Sequence, residues 1–216
     1  MSDFQQKIRL HKCHNMASEI ADHLLLEPAV FDAIATTERE LFVPQGMRHH
    51  AYKLDALPLM GNQWISSPLT VARMTQALDA VGCDSILEIG CGSGYQAAIL
   101  SKLARRVFTI ERIEGLVREA KKRFEHLGLR NIHTRFDDGQ RGWRDFAPFD
   151  RILFSASTPK IPQRIFDQLA LGGILVAPIQ KGKEQIITRF IKEEGGIKQE
   201  QLKSCLFVPV VDGVSH

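Results

Sequence analysis

Gly90, Gly92 and Gly94 alternate along one short stretch that follows an apolar run carrying the acid Glu88, and a second apolar run, Phe108-Thr109-Ile110, ends at the acid Glu111. Residues of these types at this spacing could cradle a nucleotide-bearing cofactor. Bare glycine backbone admits close approach, a following helix offers unpaired N–H groups and a positive dipole, and Glu111 stands where a carboxylate accepts from ribose hydroxyls. A dinucleotide fingerprint calls for Gly or Ala at its last position, where the helix packs close upon a pyrophosphate, and here that position is Tyr95. The expected cofactor therefore lacks a pyrophosphate.

The elements that position these residues follow from apolar periodicity. Strands are expected near 85–89, 106–111, 131–136, 150–155, 173–179, 185–192 and 205–210, with helices near 95–104, 114–127 and 161–170. Alternation of this kind builds an α/β fold, a mainly parallel sheet with helices on both faces and its ligands at the carboxyl ends of the strands. The last two strands are joined by the turn Lys192 to Gly196, so they form an antiparallel hairpin at the sheet edge. Ahead of the sheet, residues 4–36 carry helical patterns broken at Glu27-Pro28, residues 39–67 are loop-rich, and Pro68 opens a helix running to about Val81. The expected organisation is one domain over 1–216, in which 1–67 form a helical cap and substrate loops and 68–216 form the cofactor-binding core.

Composition narrows the function classes. The 216 residues are 44% hydrophobic and 25% charged, enough for a full core, and carry a formal charge of +3. Basic residues concentrate at Arg118 to Arg123, where Glu114 and Glu119 stand four residues ahead of Arg118 and Arg123, the pattern of a solvated helix face rather than of a nucleic-acid footprint. Cys13, Cys83, Cys91 and Cys205 are far apart without a CxxC, which favours reduced thiols and a cytoplasmic location. No run is apolar enough to suggest a membrane span, and no metal is expected. His11, Cys13 and His14 read as part of a solvated helix, and His49 and His50 as residues beside a turn.

Glu88-x-Gly90-x-Gly92-x-Gly94 resembles the first motif of S-adenosylmethionine-dependent methyltransferases, whose fold is Rossmann-like. Further segments appear in order: Arg39-Glu40-Leu41-Phe42-Val43-Pro44, Ala51-Tyr52 to Pro58, Gly61 through Ser66-Ser67-Pro68, Glu111-Arg112, Asp138-Gly139, Ala147 to Asp150, Leu171-Gly172-Gly173 and Phe207-Val208-Pro209. Together they resemble the protein-L-isoaspartate O-methyltransferase family across nearly the whole chain. The resemblance implies methyl transfer from S-adenosylmethionine, with S-adenosylhomocysteine as product, to the α-carboxylate of L-isoaspartyl residues in damaged proteins and peptides. The ester then collapses to a succinimide, whose hydrolysis restores part of the material to aspartate.

It also implies roles for individual residues. Ser66 aligns with the family's active-site serine. Glu88, Gly90, Gly92, Gly94, Glu111, Asp138 and Gly139 fall on the cofactor side, as does Ser67, which reads equally as a helix N-cap before Pro68. Asp138 either accepts from the adenine amine or simply forms an Asp-Gly turn. Asp55, Trp64, Ile65, Leu69, Phe207 and Val208 fall on the substrate side. Asp55 matches an acidic position of the family, although an acid beside a carboxylate substrate repels it unless it accepts from peptide N–H. The chain departs from the family at Trp64, where Thr is usual, at Leu69, where His or Tyr is usual, and at the turn positions Asp137 and Leu171. Trp64 either shelves a peptide or fills core. The expected partners are isoaspartyl proteins, with a monomeric chain and no role for nucleic acid or membrane.

Three other readings compete. A nicotinamide oxidoreductase conflicts with Tyr95 and with the lack of a hydride-transfer constellation. A nucleic-acid amino-methyltransferase usually carries an Asn- or Asp-Pro-Pro-aromatic motif where this chain has Ser155-Ala156-Ser157-Thr158-Pro159. A cofactor-binding protein that acts on another carboxylate, or has lost catalysis through the changes at Trp64 and Leu69, is told apart by a methylation assay.

Overall fold

The structure, a computed structural model, describes residues 3–216. Helix α1 (Asp3–Ala21) buries Cys13, Met16, Ala17 and Ile20, spaced three and four apart along one face. This corrects the solvated reading around Cys13. The thiol is buried and donates to Thr37 O at 3.3 Å, while His11 and His14 stay on the exposed face. Helix α2 (Pro28–Ala35) begins on Pro28, whose missing N–H costs nothing in a first turn. Two 3₁₀ turns, Arg39–Leu41 and Gln45–His50, lead into a small antiparallel hairpin of β1 (Leu57–Leu59) and β2 (Gln63–Ile65). Helix α3 (Pro68–Leu78) is capped by Ser67, whose Oγ accepts from Thr70 N at 3.2 Å, a cap that contributes about 1 kcal/mol.

The core is a seven-stranded sheet in the order β5-β4-β3-β6-β7-β8-β9. Strands β3 (Ser85–Ile89), β4 (Arg106–Glu111), β5 (Ile132–Phe136), β6 (Phe149–Phe154) and β7 (Leu169–Lys181) are parallel. Strands β8 (Glu184–Glu193) and β9 (Gly196–Cys205) continue the sheet antiparallel. Ile86, Val107, Leu153 and Val176 face the layer built by α1 to α3, α4 (Tyr95–Leu100) and α5 (Glu114–His126). Their neighbours Leu87, Phe108, Ile152 and Leu175 face the opposite layer, which includes α6 (Gln163–Phe166). Side chains alternate across a strand, so parallel strands covered on both faces read as unbroken apolar runs. The mostly parallel α/β sheet with an antiparallel edge is as expected.

Several boundaries differ from expectation, among them the end of α3, at Leu78 rather than near Val81. The helix expected at 161–170 is a single turn, and the chain is already in β7 by Leu169. Helix α4 ends at Leu100 rather than near 104. The last strand is Gly196–Cys205, not 205–210. It is an edge strand exposed almost throughout, so burial leaves no alternation in its sequence and the ladder to β8 alone defines it. Residues 206–216 are thereby released from the sheet.

Candidate active site

The loop after β3 turns on glycines with positive φ, Gly90 at 97°, Gly92 at 54° and Gly94 at 88°, a region that L side chains rarely enter. Gly90 N and Cys91 N both donate to Ile110 O, at 2.9 and 3.2 Å, tying the loop to the end of β4. Glu111 closes the arrangement. Its Oε2 accepts from Gly92 N at 2.9 Å and its Oε1 from Ile113 N at 3.0 Å. Burial pushes the Glu111 carboxyl above the usual carboxylate range, against the pull of these backbone donors. Each oxygen keeps a second lone pair, enough for a pair of ribose hydroxyls.

Glu88 lies beneath the loop, fully buried, with Oε2 accepting from Thr109 Oγ1 at 2.6 Å and Oε1 from Ser155 Oγ at 3.0 Å. Burial dominates and pushes its carboxyl up to about 8, opposed by the two hydroxyl donors and assisted by the nearby Glu111. The consequence for stability has a definite sign. Below about 4.5, its ordinary value, the carboxyl is protonated folded or unfolded; between there and about 8 the unfolded chain ionises while the folded one holds its proton, so stability falls as pH rises through this window. Glu88→Gln removes the effect. Thermal unfolding of Glu88→Gln relative to wild type is expected to improve steadily from pH 4.5 to 8 and then level off, by on the order of a few kcal/mol in total. A difference independent of pH across that range sinks the assignment.

A cavity of about 1000 Å³, counting its open mouth, runs over this loop. Glu88, Gly90, Gly92, Glu111 and Gly139 form one wall, with Tyr95 and Gln96 from the start of α4. Trp64, Ile65 and Ser66 from β2 and its exit, and Phe207 and Val208 from the C-terminal segment, line the same cavity. The structure thus brings both groups of expected residues to one cavity. A vicinal diol on a nucleoside fits this wall, because the glycines leave the backbone bare and Glu111 retains acceptor capacity. An added Cβ on Gly139 would stand 2.5 Å from Ile89 Cγ2, so that position also stays bare by necessity.

Trp64 is 55% exposed at the mouth, which removes the core-filling alternative. Five expected residues do not line the cavity. Asp55 is exposed, and its hydrogen bond to Arg39 is made by its backbone carbonyl. Ser67 spends its hydroxyl on the α3 cap and on Thr70 Oγ1. Leu69 packs against the apolar core. Gly94 lies under the loop against Phe124. Asp138 holds Gln140 N at 3.0 Å and, from the other oxygen, Gly213 N at 3.2 Å.

That last bond belongs to a strap that sequence reasoning did not foresee. Val208 O accepts from Ser157 N and Val210 N donates to Ser157 O, while Ser215 N donates to Arg112 O and Ser215 O accepts from Glu114 N. Residues 206–215 therefore cross from the end of β6 to the end of β4, above β3 and its glycine loop. Val210 and Val211 join the lining in this way. Ser155, at the carboxyl end of β6, was also missed as a lining residue, although the end of that strand was the signal.

A sequence model of the family described as protein-L-isoaspartate(D-aspartate) O-methyltransferase matches residues 11–215. A curated relative from Helicobacter pylori strain J99, named protein-L-isoaspartate O-methyltransferase, is 56% identical over 204 residues, 94% of this chain and 98% of that protein. One of the same name from Pseudomonas fluorescens is 44% identical over 92% of this chain and 94% of its own length. Among solved structures, a Plasmodium falciparum protein described as a putative protein-L-isoaspartate O-methyltransferase in complex with S-adenosyl-L-homocysteine superposes with a TM-score of 0.82, covering 92% of this chain and 98% of that one. At 18% identity that likeness speaks for the fold alone.

Proposed function

This chain belongs to the protein-L-isoaspartate O-methyltransferase family, and from that premise we propose that it methylates the α-carboxylate of L-isoaspartyl residues in damaged proteins and peptides, initiating their repair through a succinimide. The observation that carries this reading is the meeting of Ser66 and Trp64 with Gly92 and Glu111 across one cavity. S-adenosylmethionine, when bound, supplies an activated methyl group on a sulfonium that departs as a neutral thioether.

The chain's own residues have little proton chemistry to do. A carboxylate substrate with a pKa near ~4 is already ionised at neutral pH, so no general base is needed and positioning dominates. Glu111 and the bare loop at Gly90 and Gly92 hold the nucleoside. Burial pushes the Glu88 carboxyl up to about 8, which weakens the negative charge beneath the loop near neutral pH. Ser66 orients that carboxylate through its hydroxyl, Ile65 and Val208 exclude water, and Trp64 with Phe207 gives an extended peptide an aromatic rim. Gly139 supports the wall by its lack of a side chain, Gly94 and Ser67 shape the loop and the α3 cap, and Asp138 anchors the strap. Residues 1–67 thus supply Trp64, Ile65 and Ser66 on the substrate side, and 68–216 supply the cofactor wall together with the substrate-side residues Phe207 and Val208 of the strap. The chain is read as a monomer of the cytoplasm that acts on proteins and peptides and not on nucleic acid or membrane. Its dispersed charge supports this, and no helix among the described residues is long and apolar enough to cross a membrane.

The test is incubation with labelled S-adenosylmethionine and matched peptides containing aspartate or isoaspartate. A base-labile ester is expected on the isoaspartyl peptide alone. Ser66→Ala is expected to lower kcat by roughly 10- to 100-fold while leaving affinity for S-adenosylhomocysteine unchanged. Equal labelling of both peptides removes the specificity claim, and cofactor binding without any labelling favours a chain that has lost this catalysis.

A further inference from the structure

Arg39 is fully buried. Among the described residues no carboxylate lies within ion-pairing distance of it, and its Nε has no hydrogen-bond partner. Its two terminal nitrogens donate instead to four backbone carbonyls. Nη1 reaches Ala51 O at 2.7 Å and Lys53 O at 3.4 Å, and Nη2 reaches Asp55 O at 3.2 Å and Ser66 O at 3.0 Å. The guanidinium carbon also sits 5.5 Å from the ring centroid of Tyr95, the first residue of α4 and part of the cofactor wall.

A buried cation with no carboxylate in contact, and only the exposed Asp55 acting on it from a distance, is a poor way to gain stability, because desolvation is costly and an apolar side chain of similar volume does as well or better. What only a planar fork provides is a simultaneous grip on carbonyls from separate segments. Here those segments are the 51–55 loop and the residue ahead of the α3 cap, and the grip is braced on the face of Tyr95. We propose that Arg39 is a positioning residue that holds the Ser66 segment in register with the cofactor wall. The proposal rests on the reading of Ser66 as the substrate-orienting hydroxyl. Arg39 touches neither substrate nor cofactor, and it acts through the carbonyl of the residue whose side chain does.

The test compares wild type, Arg39→Lys, Ser66→Ala and the double variant, each by steady-state methylation of an isoaspartyl peptide and by calorimetric titration with S-adenosylhomocysteine. Lysine keeps the charge and loses the fork. Arg39→Lys is expected to lower kcat/KM for the peptide by at least about 10-fold, with affinity for S-adenosylhomocysteine within about threefold of wild type, since Tyr95 keeps its packing against Phe42. Added to Ser66→Ala, it is expected to cost less than about threefold more, because both changes remove the same alignment. Additive losses, or parallel loss of peptide turnover and cofactor affinity, overturn the proposal. Should the lysine variant fail to fold, Arg39→Met replaces it, with the same expected split between lost turnover and retained cofactor affinity. If neither variant binds S-adenosylhomocysteine, Arg39 is a folding requirement and the proposal is overturned. A wild type that binds S-adenosylhomocysteine yet leaves the isoaspartyl peptide unmethylated defeats the functional reading, and this proposal with it, before any variant is compared.

Discussion

Replacing Glu111 with alanine is expected to weaken binding of S-adenosylhomocysteine by at least about 100-fold, about 2.8 kcal/mol. Two losses combine. The carboxylate now accepts from Gly92 N and Ile113 N and so holds the glycine loop against the end of β4. Without it two part-buried backbone donors lose their partner, at about 1 kcal/mol each. The remaining lone pairs, placed for the ribose hydroxyls, vanish in the same step. Glu111→Gln keeps one carbonyl acceptor and is expected to fall between alanine and wild type. Calorimetric titration decides the matter, and an affinity for Glu111→Ala within about threefold of wild type contradicts both roles.

The second large effect is on the fold beneath the loop. Gly94 has φ of 88°, and a Cβ placed there would stand 2.7 Å from Cε1 and Cζ of Phe124, a buried ring on α5. Gly94→Ala therefore adds backbone strain to a clash that a packed aromatic ring has little room to relieve. We expect a destabilisation of about 3 kcal/mol or more, lowering Tm by about 6–12 °C for a chain of this size. Gly128 is the control. It has a similar φ of 66° but open space around it, so Gly128→Ala should show the strain alone, about 1 kcal/mol. Denaturant unfolding of both variants checks the difference, and equal losses mean that Phe124 yields.

The glycine loop and Glu111 were legible in the sequence because their constraints are local. A positive φ demands glycine, and an acid at the end of the next parallel strand must arrive at the same sheet edge. Ser66 was legible through the resemblance of the segment around it to the isoaspartyl methyltransferases. The burial of Cys13 was hidden because polar neighbours diluted the apolar face of α1. The strap was hidden for a different reason. Residues 205–210 form an unbroken apolar run that reads as a strand, and only the pairing of β8 with 196–205 sends them over the cavity instead. That displacement also engages Asp138, whose carboxylate reads from sequence as a turn or an adenine acceptor but also holds the strap through Gly213 N.

Arg39 shows where such reading ends. It stood in the sequence as one residue of a segment that resembles the family, and its four carbonyl acceptors lie from twelve to twenty-seven residues away along the chain. By itself, then, the sequence determined the α/β frame, the cofactor loop and the chemistry to be expected of it, because period, glycine and strand-end acid act over a few residues. Tertiary structure alone decided which side chains share the cavity, which carboxyls burial pushes toward their neutral form and what holds Ser66 in place. Those outcomes depend on burial and on contacts between distant segments, and neither exists until the chain has closed on itself.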